Sequence, residues 1–110
     1  MDDHPAFRAS ARRLLEVSGF EVVAEAGDGA SALELTRELE PDVLLLDLAL
    51  PDMSGLDVAE ELRGETAIVL VSSRDPADLG RRVDRSGVRG FISKDRLTEE
   101  TLLELVGDAA

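Results

Sequence analysis

The sequence has no cysteine, tryptophan or tyrosine, and only three phenylalanines among its 110 residues. Without cysteine the chain can form neither a disulfide nor a thiolate site, which is compatible with a reducing cytoplasm. With so few aromatic side chains, the core must consist mainly of leucine, valine, isoleucine and alanine. Such a core is typical of helices packed on a parallel sheet, so the composition favours an α/β protein.

Long apolar runs and an excess of basic residues are also absent. Apolar stretches such as residues 43–46 and 67–71 fall far short of the ~20 residues that a membrane-spanning helix needs. The twenty-four acidic and twelve basic residues give a formal charge of −12, which repels nucleic-acid phosphates and anionic lipid. We therefore expect a cytoplasmic protein that binds neither nucleic acid nor membrane.

Helix-like and strand-like segments alternate along the chain. The apolar spacing and the turn residues predict helices over residues 6–18, 30–40, 56–63 and 75–86 and a last helix capped by Thr98, with strands over residues 20–26, 43–46, 67–71 and 88–93. This alternation predicts right-handed βαβ units in one domain, with an open parallel sheet and helices on both of its faces.

Asp47, Ser72 and Lys94 each stand at the end of a predicted strand, and the acidic pair Asp2 and Asp3 opens the chain. Each has an ordinary explanation by itself, such as a cap, a turn residue or a solvated lysine. Together they would meet at one edge of the sheet, where ligands bind in such folds. A carboxylate can attack phosphorus, and clustered carboxylates need a hard cation such as Mg²⁺. With a lysine to neutralise developing charge, the combination predicts phosphoryl transfer.

Four segments resemble the response-regulator receiver family of bacterial two-component systems: residues 2–5 (DDHP), 47–55 (DLALPDMSG), 71–73 (VSS) and 90–94 (GFISK). The opening segment is similar to receivers that precede LuxR-type DNA-binding domains. The resemblance covers essentially the whole chain. It implies a flavodoxin-like open parallel sheet of strand order 2-1-3-4-5, in a single receiver domain over residues 1–110.

The resemblance implies a regulatory phosphoacceptor that catalyses its own modification, not a turnover enzyme. Asp47 would accept the phosphoryl group from a sensor histidine kinase in a phosphorelay, with Lys94 and Ser72 contacting that group. Phe91 would change rotamer when Ser72 is drawn in. The face formed by residues 75–86 and the strand before Lys94 would then change its protein contacts.

A magnesium site is also implied by the resemblance. Asp3 and Asp47 would bind Mg²⁺ directly together with the backbone carbonyl of Ala49, and Asp2 would act partly through water. Ala49 and Arg74 occupy positions that tune the lifetime of the acyl phosphate in the family.

Two features depart from the family pattern. Asp95 follows the lysine where many receivers have proline. More importantly, only Met1 precedes the acidic pair, so the first strand is largely absent. Unsatisfied buried backbone groups cost roughly 1–3 kcal/mol each, against a net stability of about 5–15 kcal/mol. Asp2 and Asp3 would also hang from a free terminus, which predicts weaker Mg²⁺ binding than in a complete receiver.

Three explanations of the short first strand remain open. A GTG codon, read as Met1 at a start, would encode valine inside a longer chain. Alternatively, residues 20–26 pair directly beside residues 43–47. Thirdly, a second copy supplies a strand by dimerisation or exchange. A homodimer through the last helix-strand-helix face is a separate expectation about partners.

Two other functions compete with the phosphoacceptor. A receiver-shaped adaptor that no longer accepts phosphate is the alternative that the short first strand favours. A small phosphatase resembling the haloacid dehalogenases is disfavoured, because those enzymes usually carry a second aspartate two residues after the nucleophile, where this chain has Ala49.

Overall fold

The computed structural model describes residues 1–2, 4–72 and 88–106. Its elements are α1 (Pro5–Val17), α2 (Gly29–Leu39), β1 (Val43–Asp47), α3 (Gly55–Glu61), β2 (Ala67–Ser72), β3 (Gly90–Ser93), a 3₁₀ turn (Lys94–Arg96) and α4 (Glu99–Val106). The helix predicted over residues 75–86 lies outside the described residues. No helix in the described part is long and apolar enough to cross a bilayer.

The three strands form an open, all-parallel sheet in the order β1-β2-β3. Leu44 pairs with Ile68, and Leu70 pairs with Phe91. The predicted parallel sheet is therefore confirmed, with strands that begin and end within two residues of the predicted bounds for these three segments.

The sheet is covered on both faces, as the continuous apolar runs predict. Ile68 and Leu70 of β2 pack into a cluster with α2 and α3. Their neighbours Val69 and Val71 point to the opposite face, where they pack with residues of α1 and α4. Because successive side chains of a strand alternate between faces, β2 is buried on both.

Residues 20–26 do not form a strand in the structure, so that prediction is wrong. Met1 and Asp2 lie between this segment and β1. The amide of Asp2 donates to the Ala26 carbonyl at 2.9 Å, and the amide of Asp47 donates to the Met1 carbonyl at 2.9 Å. Two residues are too few to pair along the whole segment, which leaves most of residues 20–26 without a neighbouring strand.

Direct pairing of residues 20–26 with β1 is also wrong, since Met1 and Asp2 separate the two. A groove of about 370 Å³ lies between them, lined by Met1, Leu15, residues 19–24, three residues of α2 and residues 40–44. We call this space the sheet-edge groove.

Candidate functional site

Asp47 is the last residue of β1, and its residue surface is only 2% exposed. Its carboxylate oxygen Oδ1 accepts a hydrogen bond from the Ala49 amide at 3.3 Å. The backbone beyond Asp47 is held by the Leu48 amide, which donates to the Val71 carbonyl of β2 at 2.9 Å. The end of β1 therefore places one buried carboxylate at the carboxyl edge of the sheet.

The start of α3 lies directly against this strand end. The Gly55 amide donates to the Leu48 carbonyl at 2.7 Å, and the Ser54 side chain caps α3 by accepting from the Leu56 amide at 3.2 Å. A Cβ at position 55 would collide with the Asp47 carbonyl oxygen and approach the Leu48 Cα to 2.8 Å. Glycine at position 55 thus permits the close approach that fixes Asp47.

A second contact holds the loop after Asp47. Both carboxylate oxygens of Asp52 accept hydrogen bonds from the first turn of α2, from the Gly29 amide at 2.7 Å and the Ala30 amide at 3.0 Å. These backbone bonds lower the pKa of Asp52. The sequence does not predict this contact, because nothing in the local pattern of either segment links positions that far apart in the chain.

Lys94 extends from the end of β3 to the two acidic side chains. Its Nζ lies 2.7 Å from Asp2 Oδ2 and 3.3 Å from Asp47 Oδ2. It also sits 4.4 Å from the centre of the Phe7 ring, a cation–π contact. The predicted meeting of Asp2, Asp47 and Lys94 is therefore what the structure shows.

Asp2 is 2% exposed and does not hang from a free terminus. Besides its backbone bond to Ala26, its carboxylate oxygen Oδ1 accepts from the His4 amide at 2.8 Å and lies 3.1 Å from His4 Nδ1. The Arg8 guanidinium donates to the Asp2 carbonyl at 2.7 Å. This anchoring contradicts the expectation of a loose Asp2, and it removes that reason for weak Mg²⁺ binding.

The charges at the site shift the pKa values of its groups in different directions. Burial raises the pKa of Asp47, and the nearby Asp2 charge adds to this, against the opposing effects of the Ala49 amide and Lys94. Burial also raises the pKa of Asp2, but its contacts with Lys94 and His4 outweigh burial, so the net pKa is lowered. Burial lowers the pKa of Lys94, yet the two carboxylates leave it raised overall.

The sequence model of the family described as "Response regulator receiver domain" matches residues 1–106. This chain belongs to that family. The nitrate/nitrite response regulator protein NarP of Escherichia coli K12 is 48% identical over 111 aligned residues, which cover 96% of this receiver and 51% of NarP. The "Probable transcriptional regulatory protein NarL" of Mycobacterium tuberculosis H37Rv is 41% identical over 113 residues, with 99% of this receiver and 52% of NarL covered.

The receiver thus spans about half the length of these curated relatives. The solved signal receiver domain of Mycobacterium tuberculosis NarL resembles this receiver with a TM-score of 0.86 at 40% identity. The alignment covers 97% of this receiver and 89% of that chain. The flavodoxin-like fold is therefore confirmed, and the relatives are named as regulators rather than as turnover enzymes.

Side chains of the receiver that could hold a metal ion converge beside Lys94. One ligand atom each from Asp2, His4 and Asp47 lies within 4.8 Å of the others. The two carboxylates supply the hard oxygen atoms that Mg²⁺ prefers, so the residues fit that cation. Asp3 lies outside the described residues. His4 is a neighbour of this cluster that the sequence analysis did not propose as a ligand.

The remaining predicted positions differ in what the structure shows. Ala49 is exposed at the mouth of the site and forms an isolated bridge with Ser54. Ser72 is buried at the end of β2, where it pairs with Ser93 of β3. Phe91 is half-buried against the α2 and α3 cluster. Arg74 lies outside the described residues.

Proposed function

We propose that this receiver is the phosphoacceptor domain of a two-component system, modified on Asp47 by a sensor histidine kinase in a Mg²⁺-dependent reaction. The observation that carries the proposal is the position of Asp47. Its buried carboxylate ends β1, Lys94 Nζ lies 3.3 Å from it, and Asp2 shares the same ammonium. Burial raises the pKa of Asp47, while the Ala49 amide and Lys94 favour the ionised carboxylate that would act as the nucleophile.

In the proposed reaction, a carboxylate oxygen of Asp47 attacks the phosphorus of a phosphohistidine. An O–P bond forms while the N–P bond breaks, and the leaving imidazole keeps the electron pair and takes up a proton from solvent. Lys94 would stabilise the negative charge that develops on the transferred group. A cation held by Asp2, Asp47 and the Ala49 carbonyl, with Asp3, would supply further charge neutralisation.

Phosphorylation would then change a protein-binding face. The phosphoryl group carries about 1.5 to 2 negative charges in place of the single charge of the Asp47 carboxylate. It competes for Lys94, which the free site holds between two carboxylates. Ser72 would be drawn towards the phosphoryl oxygens, and Phe91 of β3 would change its rotamer. Ser72 ends the strand that precedes residues 75–86 in the sequence, and Phe91 lies on the strand that follows them, so we include residues 75–86 in the switching face. The output would be cytoplasmic and would run through protein contacts.

Intact mass after incubation with Mg²⁺ and acetyl phosphate tests the proposal. The wild type should gain the mass of one phosphoryl group, and Asp47→Asn should gain none. Lys94→Met should react at least tenfold more slowly, since it removes the charge that stabilises the transferred group. Arg96→Met is the matched control, because Arg96 is exposed in the same turn and its loss changes the net charge equally.

A wild-type protein that is folded by circular dichroism but gains no mass would overturn the phosphoacceptor. That result would favour the adaptor, a receiver-shaped binding module. The open sheet-edge groove is the feature of the structure that this second function would use.

A further inference from the structure

The ammonium of Lys94 has neighbours of two kinds. Its Nζ lies 2.7 Å from a carboxylate oxygen of Asp2 and 3.3 Å from one of Asp47. The other neighbour is the ring of Phe7, whose centre lies 4.4 Å from Nζ. An ammonium within about 6 Å of a ring centre is attracted by the negative face of the ring. Lys94 is the only lysine in the sequence, so this ring contact involves a side chain that no other lysine can replace.

The ring of Phe7 is held by the fold and not only by Lys94. Phe7 stands near the start of α1, and this part of the helix is tied to the site because the Arg8 guanidinium donates to the Asp2 carbonyl at 2.7 Å. The half-buried ring packs against the apolar cluster that includes Val71 of β2 and Ile92 of β3. These two residues lie next to the carboxyl ends of their strands. The fold therefore places an aromatic ring at the edge of the sheet where Lys94 acts.

The two kinds of neighbour respond differently when the site holds a cation. Asp2 and Asp47 are the same carboxylates that would bind Mg²⁺, so Lys94 then shares their oxygens with an ion of twice its charge. The like charges of the cation and the ammonium also repel each other. The Phe7 ring offers no oxygen ligand to Mg²⁺, and its attraction for the ammonium remains. Phe7 is thus the partner that Lys94 keeps in the loaded site.

The surroundings of Lys94 strengthen this attraction. The Lys94 side chain is only 17% exposed, and an ammonium is attracted more strongly to a ring when water is excluded than at an exposed surface. The stem of a lysine is flexible, so its ammonium can otherwise take many positions. A ring that stays beside the ammonium therefore limits where it can move after the carboxylates have bound the cation.

We propose that Phe7 is a positioning residue for the phosphorylation of Asp47, because its ring keeps the Lys94 ammonium beside the site when a cation occupies the two carboxylates. The ammonium is then already in place when the phosphoryl group arrives. This inference rests on the proposed phosphoacceptor function and adds one residue to it. Phe7 touches neither the phosphoryl group nor the cation and acts through Lys94 alone.

The rate of mass gain with acetyl phosphate in saturating Mg²⁺ tests the role of the ring. Phe7→Leu keeps an apolar side chain but has no ring face, and it should react at least about threefold more slowly than wild type. Phe7→Tyr keeps the ring face and should react within about twofold of wild type. Phe20→Leu is the matched control, because Phe20 packs against the same cluster as Phe7 but is not the ring over which Lys94 lies. It should also stay within about twofold of wild type.

A double-mutant cycle separates action through Lys94 from a general effect on the fold. Lys94→Met has no ammonium for the ring to hold. When Phe7→Leu is added to Lys94→Met, the rate of phosphorylation should therefore change by less than about 1.5-fold. A purely structural role of Phe7 would instead slow the reaction by the same factor whether or not Lys94 is present.

Nuclear magnetic resonance gives a measurement that needs no phosphorylation. Because the chain has one lysine, ¹³C-labelled lysine yields a single set of side-chain signals. The ring current of Phe7 should move the ε-methylene proton signals of Lys94 upfield of their position in an unfolded lysine peptide. This upfield shift should persist in saturating Mg²⁺, and it should be lost in Phe7→Leu and kept in Phe7→Tyr.

The outcomes distinguish this inference from the proposed function. A folded wild type that gains no mass overturns the phosphoacceptor, and the role of Phe7 with it. If wild type is phosphorylated but Phe7→Leu reacts as fast, or slows the Lys94→Met protein equally, only the positioning role is overturned. An upfield shift of the Lys94 signals that disappears when Mg²⁺ is added to wild type also overturns it, because the ring would then not keep the ammonium in the loaded site.

Discussion

At Asp47, burial and ionisation oppose each other. The carboxylate is almost fully enclosed and lies close to a second one at Asp2, while a single ammonium serves both. A site that keeps two carboxylates together favours binding of a cation at the expense of stability when the cation is absent. The strain of the free site is therefore electrostatic and should be measurable.

Without divalent cations, Asp47→Asn should raise the free energy of unfolding at neutral pH by on the order of 1 kcal/mol. A neutral amide escapes both the burial cost of the carboxylate and its repulsion by Asp2. Because the folded-state pKa of Asp47 is raised, the wild-type penalty is complete above that pKa and disappears as the pH falls through it. The difference should therefore shrink in acid.

Urea denaturation of both proteins in EDTA, at neutral pH and near pH 4, measures this difference. A wild type at least as stable as Asp47→Asn at neutral pH would contradict the prediction. So would a difference that grows as the pH falls.

The junction of β1 with α3 fixes the position of Asp47. The sequence predicted that Asp47, Ser72 and Lys94 end three strands, because buried parallel strands have a strong local pattern and their ends share an edge. It could not predict the bonds from Asp52 to the start of α2, since they join segments more than twenty positions apart. It was wrong about residues 20–26, because pairing depends on a neighbour as well as on apolar content.

Gly55→Ala should destabilise the protein by about 2 kcal/mol or more, because its Cβ would push against the Asp47 carbonyl. Gly64→Ala is the control: its φ of 82° is also unfavourable for alanine, but nothing lies within 4 Å of the new Cβ. That change should cost only about 1 kcal/mol. Urea denaturation gives both values, and a smaller loss for Gly55→Ala than for Gly64→Ala would be inconsistent with the close contact.

Hydrogen exchange should alternate along β1. Backbone groups of alternate residues in a parallel strand point to opposite neighbours, and the Leu48 amide donates to β2. The Leu44 and Leu46 amides therefore point to β2 and should be protected. The Leu45 amide lies on the side of the Met1 bond, faces the sheet-edge groove and should exchange at least tenfold faster. Residue-resolved exchange by nuclear magnetic resonance measures the three rates. Uniform protection across the three residues would show that the groove edge is covered.

A formal charge of −12 works against the stability of the whole protein, and so does the thin link between residues 20–26 and β1. Met1 and Asp2 counter the second effect, since their bonds join residues 20–26 to β1. Asp2, which would bind a cation through its carboxylate, thus also joins residues 20–26 to β1 through its backbone.

Mg²⁺ should therefore stabilise the entire domain. The gain follows from mass action and reaches about 2.7 kcal/mol at a hundredfold excess over the dissociation constant. Asp2→Asn should remove most of it. Thermal unfolding in Mg²⁺ and in sodium chloride of equal ionic strength separates binding from screening of the net charge, and equal gains in the two salts would exclude a specific site.

The enclosed position of Met1 has a practical consequence for handling the protein. Its backbone nitrogen already takes part in the β1 ladder, so any residues joined to it must start inside the sheet-edge groove before they reach solvent. The first residues of a purification tag fused there would lie in the sheet-edge groove and pack against its lining. An apolar linker would therefore change the stability of the protein and the surface of the groove. Tags and immobilisation chemistry belong elsewhere on the chain, for instance on the exposed side of α1 at Arg13.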